Sequence, residues 1–421
     1  MNSHSTIATF LVAVALLFTA RVEADAEVII DWNQLAQQHI AGPPFSQTRQ
    51  YAMVHVAMAD AVVAIQGQYA PFRVEPWAPS GASAEAAAAQ AAHDVLVFLI
   101  PGAAPVFHAA LDASLASIPP GRRSTGVRVG KTVAAEVIAW RQNDGFANAN
   151  PQPPPFLPSI LPGIWQQTVS GPAIYSRLGD VEPFGLLTST QFLPVPPPQL
   201  ESTEYAEDFN ETKAKGPMTG STRLPEETRS AQLWAGVGAF ANVTNAFRLW
   251  QNVARDVARA EGLSLAQTAR LFALLTASIH DSVQTSQTSK FVYRLWRPET
   301  AIANADIDDN DGTVFEPGWV PLLTTPPYPS HAGNMACIGA GAARALANVF
   351  GTDAKSFTAT WYSATSAVVH SQAYNSFWAL AEDEANSRIW GGIHFRFESE
   401  ASQGSCSAVA DYIVANRLRP L

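Results

Sequence analysis

Apolar residues recur at helical spacing through most of this 421-residue chain, and this periodicity restricts the fold more than any other feature of the sequence. No segment alternates apolar and polar residues over a length that would make a useful strand. The sequence therefore predicts an all-α protein built from one or two helical bundles. The predicted helices are 47–66, 83–117 with a break at Pro101-Gly102, 122–143, 202–215, 225–242, 244–261, 264–285, 287–297, 331–350, 356–371, 373–390 and 398–416.

A proline-rich segment interrupts the helical pattern. Residues 151–198 carry 12 of the 30 prolines of the chain. The same segment holds Trp165, Tyr175, Phe184 and Phe192, whose rings favour burial. We therefore expect an extended connector that packs on a helical body. The predicted domains are an N-terminal helical bundle over 25–150, the connector over 151–198 and a C-terminal helical bundle over 199–421.

The N-terminal residues resemble an export signal. Residues 7–20, "IATFLVAVALLFTA", form an apolar run of 14 residues, which is too short to cross a bilayer of about 30 Å as a helix. The small residues Val22 and Ala24 are placed for cleavage before Asp25. No later segment reaches 18 uninterrupted apolar residues. We expect residues 1–24 to be a signal peptide, the mature form to lack a membrane segment, and the protein to be secreted or periplasmic.

The chain has two cysteines, Cys337 and Cys406, and both fall in predicted helices. In an oxidising compartment they could form a disulfide. Two buried free thiols are the interpretation that the sequence favours.

The charge of the chain argues against one class of partner. Its formal net charge is −10, and its longest basic tract is Arg122-Arg123. Binding to nucleic acid depends on clustered Lys and Arg that neutralise phosphates. We therefore expect no nucleic-acid partner.

The first of three motifs in the C-terminal third is "KFVYRLWRP". Lys290 and Arg297 are seven residues apart, so on one helix they would share a face about 10 Å apart. Pro298 disfavours helix at Arg297, which should lie at the helix end. The apolar and aromatic neighbours indicate burial, and buried cations need anionic partners.

The second motif is "PPYPSHAGN". Three prolines enforce an extended chain up to Ser330, and we expect Ser330 to cap the helix that follows. A helix N-terminus also presents free N–H groups to an anion. The small residues Ala332 and Gly333 leave room for a ligand beside His331.

The third motif is "SRIWGGIHFRFE". Arg388 and His394 are six residues apart, which places them on different faces of an unbroken helix. The Gly391-Gly392 pair between them should end or bend the helix. The chain can then turn and bring His394 alongside Arg388.

Together the three motifs suit a tetrahedral oxyanion. They supply three cations, a serine hydroxyl and helix N–H donors, and Arg forks bind oxyanions bidentately. One histidine could bond the central atom or act as nucleophile, and the other could transfer protons.

Lys-x6-Arg-Pro, then Pro-Ser, then Ser-Arg-x5-His resembles the signature shared by type 2 phosphatidic acid phosphatases, bacterial acid phosphatases and vanadium-dependent haloperoxidases. Both internal spacings match this signature without adjustment. The segments "WNQLAQQHIAGPPFSQTRQYAMVHVAMADAV", "LPVPPPQLESTEY" and "RLWRPETAI" look like soluble secreted haloperoxidase-like proteins. The resemblance covers most of the predicted mature chain.

The resemblance implies an α-helical bundle with the oxyanion in its core. In such a site Lys290, Arg297 and Arg388 would grip the oxygens, and Ser330 would hydrogen-bond one of them. His394 would be the ligand of vanadate in a haloperoxidase, or the phosphorylated nucleophile in a phosphatase. The implied cofactor is vanadate, and phosphate can occupy the same kind of site.

Two positions depart from the family pattern. The family usually has Pro-Ser-Gly-His, whereas this chain has Pro-Ser-His-Ala at 329–332. His331 therefore aligns with the glycine, or with the acid–base histidine if one residue is deleted. The second departure is Glu398, where the family often has Asp; Glu could still orient His394.

Three functions follow from the resemblance. The favoured one is a haloperoxidase that uses peroxide and halide, with His394 and His331 as its catalytic histidines. The first alternative is a phosphatase acting on a phosphate monoester through a His394 nucleophile. The second is a non-catalytic oxyanion-binding relative.

Overall fold

A computed structural model describes residues 26–150, 161–167 and 173–421. The part of the chain that it describes forms thirteen α-helices and one two-stranded β-hairpin, which confirms the all-α class. The predicted signal peptide, residues 1–24, lies outside the described residues. So do 151–160 and 168–172 of the predicted connector.

The helices of the N-terminal part are residues 26–39 (α1), Pro44–Gln66 (α2), Ala84–Leu99 (α3), Ala104–Leu115 (α4) and Pro120–Arg141 (α5). The later elements begin after the connector. They are Thr203–Lys215 (α6), Pro225–Ala235 (α7), Ala246–Ala260 (α8), Leu265–Tyr293 (α9), Pro298–Ala303 (α10), Asn334–Phe350 (α11), Phe357–Tyr362 (β1), Val368–Tyr374 (β2), Phe377–Trp390 (α12) and Arg396–Asn416 (α13).

The contacts between residues divide the chain into two compact units. One holds the described residues up to Gln142, together with Ala254–Thr276 and Arg417–Leu421. The other holds the described residues from Asn143 to Val253, together with Ala277–Asn416. The domain boundaries that the sequence predicts, after residues 150 and 198, stay a prediction. The compact units divide the chain at other positions.

The first unit is built on close helix contacts. Helix α3 packs against α2 and α5. Gly126 and Gly130 of α5 lie directly against backbone carbonyls of α3, those of Ser83 and Ala87. A Cβ atom at either glycine would overlap these oxygens, so both residues have to be glycine for the helices to pack this closely.

The second unit is arranged around α11, which packs against α12 and α13. Gly339 of α11 faces Ala381 and Glu384 of α12, where an added Cβ would lie 2.9 Å from the Glu384 Oε2 atom. Cys337 and Cys406 form a disulfide that joins α11 to α13. The expectation of two free thiols was wrong, because the two residues lie on the facing sides of packed helices.

The region predicted as helix 356–371 is instead the antiparallel hairpin of β1 and β2. Strand β1 is rich in threonine and aromatic residues, and β2 begins with two valines and ends with a tyrosine; these residue types favour strands. Ala359 and Trp361 are buried while their neighbours in β1 are more exposed, which is the period-two pattern of a strand. Two other boundaries were wrong. Helix α9 runs without a break through residues 286–287, and α7 ends at Ala235, followed by the cap residue Gly236, whose φ is +65°.

The described part of the connector packs on the second unit. Trp165, Tyr175 and Phe184 are buried. The backbone N–H groups of Phe184, Gly185 and Leu186 donate to the buried Asp281 carboxylate of α9. Within the described ranges, no helix has the length and apolarity needed to span a bilayer.

Candidate active site

The site is assembled from the last turn of α9, the extended segment before α11, and the turn between α12 and α13. Lys290 in the last turn of α9 is fully buried. Its Nζ donates to the carbonyl oxygens of Ser330, at 2.6 Å, and of Ala332. Burial and the nearby Arg297 guanidinium hold the pKa of Lys290 well below its ordinary value. An anion placed here would restore the charged form.

The spacing of seven residues predicts that Arg297 shares a helix face with Lys290, and this prediction was wrong. Helix α9 ends at Tyr293, and Arg294 takes a φ of +55°, so the chain reverses before Arg297. Arg297 instead stands at the N-terminal boundary of α10. Its Nε donates to the Tyr328 carbonyl at 2.9 Å and its Nη1 to the Ile393 carbonyl at 2.8 Å. The two cations still meet, because both lie over the Tyr328 ring.

The turn between α12 and α13 has the form that the sequence predicts. Helix α12 ends at Trp390, and Gly392 takes a φ of +76°, which favours glycine. Arg388 therefore lies in the last turn of α12, and His394 lies in the short segment before α13. Both side chains are buried. The Arg388 pKa falls to about 10, because burial disfavours the charge more strongly than Glu384 stabilises it.

His394 is held from both ring nitrogens. Its Nε2 lies 3.1 Å from Arg297 Nη1, and its Nδ1 contacts Glu398 Oε2. A guanidinium can only donate, so Nε2 accepts and Nδ1 carries the proton that is donated to Glu398. Burial and the surrounding cations keep the pKa of His394 well below its ordinary value. The neutral ring therefore presents the lone pair of Nε2 towards the cations.

Glu398 occupies the position that the resemblance implied for an orienting carboxylate. Burial raises the pKa of Glu398 to about 7, although Arg297, Ser330 and Lys290 act in the opposite direction. The hydrogen bond to His394 shows that glutamate reaches the ring despite its extra methylene group.

Ser330 is not the helix cap that the sequence predicted. Helix α11 begins at Asn334 with Gly333 at the cap position, three residues later than expected. The Ser330 N–H donates to the Leu295 carbonyl at 2.9 Å, which fixes the extended segment on the chain between α9 and α10. The hydroxyl is left free of a capping role.

Two buried guanidinium nitrogens of this site, Arg297 Nη2 and Arg388 Nη1, form no hydrogen bond with protein atoms of the described residues. The Ser330 hydroxyl lies beside the Glu398 carboxylate and lowers its pKa. Buried polar atoms of this kind ordinarily have partners, and unpaired ones indicate a missing group. Two guanidinium N–H groups and one hydroxyl are the donors that an oxyanion accepts from. The residues present therefore fit vanadate or phosphate.

Gly333 leaves space beside His394. A Cβ added to Gly333 would lie 3.9 Å from the His394 Cε1 atom and 3.6 Å from Ser402 Oγ. The Gly333 N–H donates to Ser402 Oγ at 2.7 Å, which ties the start of α11 to α13. The first turn of α11 is thus fixed next to the histidine.

His331 lies against the connector. Its Nε2 donates to the Val195 carbonyl at 2.8 Å, and its ring contacts those of Tyr293 and Phe397. Nδ1 is buried and has no hydrogen-bond partner in the described part of the chain. Burial, reinforced by Lys290, lowers the pKa of His331 to about 4. The structure thus brings Lys290, Arg297, Ser330, Arg388 and His394 together and sets His331 at the edge facing residue 195.

Sequence reasoning missed two residues that shape this site. Tyr328 places its ring beside both Lys290 and Arg297, at 5.3 and 5.1 Å. Glu384 lies one helical turn before Arg388 and accepts the Trp250 indole N–H at 2.8 Å, and its ionised form raises the Arg388 pKa. The i, i+4 spacing of Glu384 and Arg388 was the available signal.

A family model matches the C-terminal part of the chain. Residues 270–420 match the family model described as the VCPO second helical-bundle domain. No curated protein matches the chain.

Solved structures with the same fold cover nearly the whole chain. The structure of a bacterial vanadium-dependent iodoperoxidase is similar, with a TM-score of 0.77 and 23% identity over 94% of this chain and 97% of that one. The holo form of a bacterial vanadium-dependent chloroperoxidase has a TM-score of 0.66 and 14% identity, over 89% of this chain and 92% of that one. An apo form of a bacterial vanadium-dependent chloroperoxidase has a TM-score of 0.67 and 15% identity, over 89% of this chain and 93% of that one.

The matched region contains every cation of the site, its serine and both histidines. Residues 270–420 match the VCPO second helical-bundle domain, and the chain has the fold of the solved bacterial vanadium-dependent iodo- and chloroperoxidases.

Proposed function

We propose that the protein is a vanadate-dependent haloperoxidase-like enzyme that uses peroxide to oxidise halide. One observation carries the proposal: three buried cations surround His394, and two of them, Arg297 and Arg388, keep N–H donors that have no protein partner in the described residues. This arrangement combines a ligand for the central atom with donors for the oxygens around it.

Each residue of the site has a defined role in this proposal. His394 would hold vanadate through Nε2, while Glu398 fixes the ring and its tautomer from Nδ1. Arg297, Arg388 and Lys290 would neutralise the oxyanion, and Ser330 would donate to one oxygen. When bound, vanadate supplies a Lewis-acidic centre that activates peroxide for oxygen transfer to halide.

His331 is proposed as the proton acceptor of the site. Because the Val195 carbonyl can only accept, the neutral ring carries its proton on Nε2 and leaves the Nδ1 lone pair free. The lowered pKa keeps the ring neutral above about pH 4. A neutral imidazole with one unpaired nitrogen is able to take a proton from a reacting group.

The phosphatase alternative uses the same pocket, with His394 as a nucleophile that becomes phosphorylated. It is less favoured, because the solved structures with the same fold are described as iodo- and chloroperoxidases. The third possibility, a non-catalytic relative, rests on the substitution of the usual Gly-His by His331-Ala332.

Parallel assays on one purified sample separate the three functions. The sample is freed of phosphate and divided between peroxide-dependent iodide and bromide oxidation with added vanadate, and hydrolysis of a phosphate monoester without it. We expect halide oxidation that requires vanadate. Phosphate release that vanadate inhibits would instead support the phosphatase. Binding of vanadate with neither activity would support the non-catalytic relative.

We also propose that the protein is secreted or periplasmic. The apolar run at 7–20 and the small residues before Asp25 support export, and the Cys337–Cys406 disulfide is of a kind that persists in oxidising compartments. N-terminal sequencing of the protein from its native host tests this. A mature chain that begins at Asp25 is expected, and a chain that retains residues 1–24 would contradict it.

A further inference from the structure

A groove of about 500 Å³ lies between the proline-rich segment and helix α13. Its lining is mainly apolar and includes Val195, Pro196, Pro198, Phe397, Ala401 and Ala408. A cavity of this volume, with apolar walls and a few polar groups, is typical of sites that bind small organic molecules.

The connector wall of the groove is fixed by side chains from three elements. Tyr293 of α9 donates its hydroxyl proton to the Pro194 carbonyl at 2.7 Å. His331 donates to the Val195 carbonyl at 2.8 Å, and Ser405 of α13 donates to the Phe192 carbonyl. Because these bonds hold the wall in place, a ligand would not have to order it, and binding loses less conformational entropy.

The charge of the groove selects among ligands. Two carboxylates, Glu204 and Glu400, are the charged side chains of the lining, and both are exposed. Arg396 lies close enough to Glu400 to interact with its charge, but its guanidinium is hydrogen-bonded to the Glu211 carboxylate through two N–H groups. The rim therefore carries net negative charge above an apolar floor.

The groove is also adjacent to the candidate active site. Phe397 lines it and contacts the His331 ring, with 6.0 Å between ring centroids. The next residue of α13 is Glu398, which holds His394. Phe397 is thus the single side-chain layer between the groove and His331.

We propose that this groove is a binding site for a small apolar organic cation, an aromatic ammonium. The ring occupies the apolar floor between the prolines and Phe397, and the ammonium group pairs with Glu204 and Glu400. This site is distinct from the oxyanion pocket and goes beyond the proposed function.

Calorimetry with three matched ligands tests the proposal on the full-length protein. The ligands are 2-(2-naphthyl)ethylammonium, its neutral analogue 2-(2-naphthyl)ethanol and the anion 3-(2-naphthyl)propanoate. We expect the ammonium to bind about ten-fold more tightly than the alcohol, since two exposed ion pairs contribute roughly this factor. The anion should bind more weakly than the alcohol. Added salt should reduce the difference between cation and alcohol.

Glycine variants locate the site. Gly404 of α13 lines the groove, and a Cβ added there meets no atom within 4 Å. Gly404→Leu should fill the groove without disturbing the fold and weaken ammonium binding by about ten-fold or more. Gly121→Leu is the matched control, because Gly121 of α5 is equally open and lies in the other unit. It should bind as the unmodified chain does.

Carboxylate variants test the charge argument. Glu204→Gln and Glu400→Gln should each weaken ammonium binding by about three-fold and leave alcohol binding unchanged. Equal affinity for the ammonium and the alcohol would overturn the ligand class. Equal ammonium affinity in Gly404→Leu and Gly121→Leu would overturn the site. These measurements use no vanadate, peroxide or halide, so their outcome is separate from that of the proposed reaction.

Discussion

The Nε2 atom of His394 lies 3.1 Å from the Nη1 atom of Arg297, and both side chains are buried. The same guanidinium donates through Nη1 to the carbonyl of Ile393, next to the histidine in sequence. Arg297 therefore positions His394 and contributes charge to the pocket at once. Its remaining nitrogen, Nη2, is one of the donors without a protein partner in the described chain.

Arg388→Lys should weaken oxyanion binding while keeping the charge. A lysine cannot reproduce the planar fork of arginine, and a hydrogen bond to a charged group contributes about 1.5–3 kcal/mol. We expect the dissociation constant of vanadate or phosphate to rise by about 10- to 100-fold in calorimetry. Arg344→Lys, at an exposed ion pair with Asp411, is the control and should bind normally. Unchanged affinity in Arg388→Lys would remove Arg388 from the pocket.

His331→Gln separates positioning from proton transfer. The glutamine amide can still donate to the Val195 carbonyl, but it cannot accept a proton at neutral pH. Loss of a general base lowers kcat by about 10²- to 10⁴-fold. We expect a fall of this size, with vanadate affinity changed by no more than a few fold. A variant that retains full kcat would show that His331 only holds the connector.

Glu384→Gln should alter how stability depends on pH. Burial raises the pKa of Glu384 in the folded protein to about 8, above its value of 4.5 in an unfolded chain. The folded state therefore retains a proton that the unfolded state releases. The contribution of Glu384 to the free energy of unfolding is fully present below pH 4.5. It falls by about 1.4 kcal/mol for each pH unit as the pH rises from 4.5 to 8.

In the Glu384→Gln variant, where position 384 does not titrate, the free energy of unfolding should decline less steeply between pH 5 and 8, by about 1.4 kcal/mol for each pH unit. Glu382→Gln on the same helix is the matched control, since Glu382 is exposed and also accepts a tryptophan indole N–H, that of Trp378. Denaturant unfolding in phosphate-free buffers measures both variants. The same slope in Glu384→Gln and the unmodified chain would contradict the assignment.

Replacement of both cysteines by alanine should destabilise the second unit. The disulfide links residues 69 positions apart, and closing a loop of that length contributes about 4 kcal/mol. We expect the denaturant midpoint to fall, and the unmodified chain in reductant to approach the variant. Oxyanion affinity should fall less, because the hydrogen bond from Gly333 to Ser402 also joins α11 to α13. Equal midpoints with and without the cysteines would refute this prediction.

The sequence predicts that the cations of the site lie close to His394. For Lys290 and Arg297, however, the predicted reason, a shared helix face, was wrong. Arg388 and His394 meet because the glycine pair ends α12, as the pattern indicated. Lys290 and Arg297 meet although α9 ends between them, and the reversal at Arg294 has no strong sequence signal, since arginine rarely takes a positive φ.

Other features depend on tertiary contacts that local patterns do not contain. Most of the hairpin was predicted as helix, because its apolar residues fit the 3.6-residue repeat of a helix as well as the two-residue repeat of a strand. The disulfide depends on the packing of α11 on α13, which no spacing within either helix specifies. The bond from His331 to the Val195 carbonyl joins positions 136 residues apart, so the tautomer of His331 could not be inferred from the motif.

Titration of the phosphate-free protein with vanadate, followed by peroxide-dependent iodide oxidation, tests whether His394 holds the vanadate that the proposed reaction requires. His394→Ala is measured beside the unmodified chain, and His370→Ala, a histidine of β2, serves as control. We expect activity that rises to a plateau at one vanadate per chain in the unmodified protein and in His370→Ala. We expect no vanadate-dependent activity in His394→Ala. Equal activity in His394→Ala, or oxidation that does not require vanadate, would contradict this role of His394.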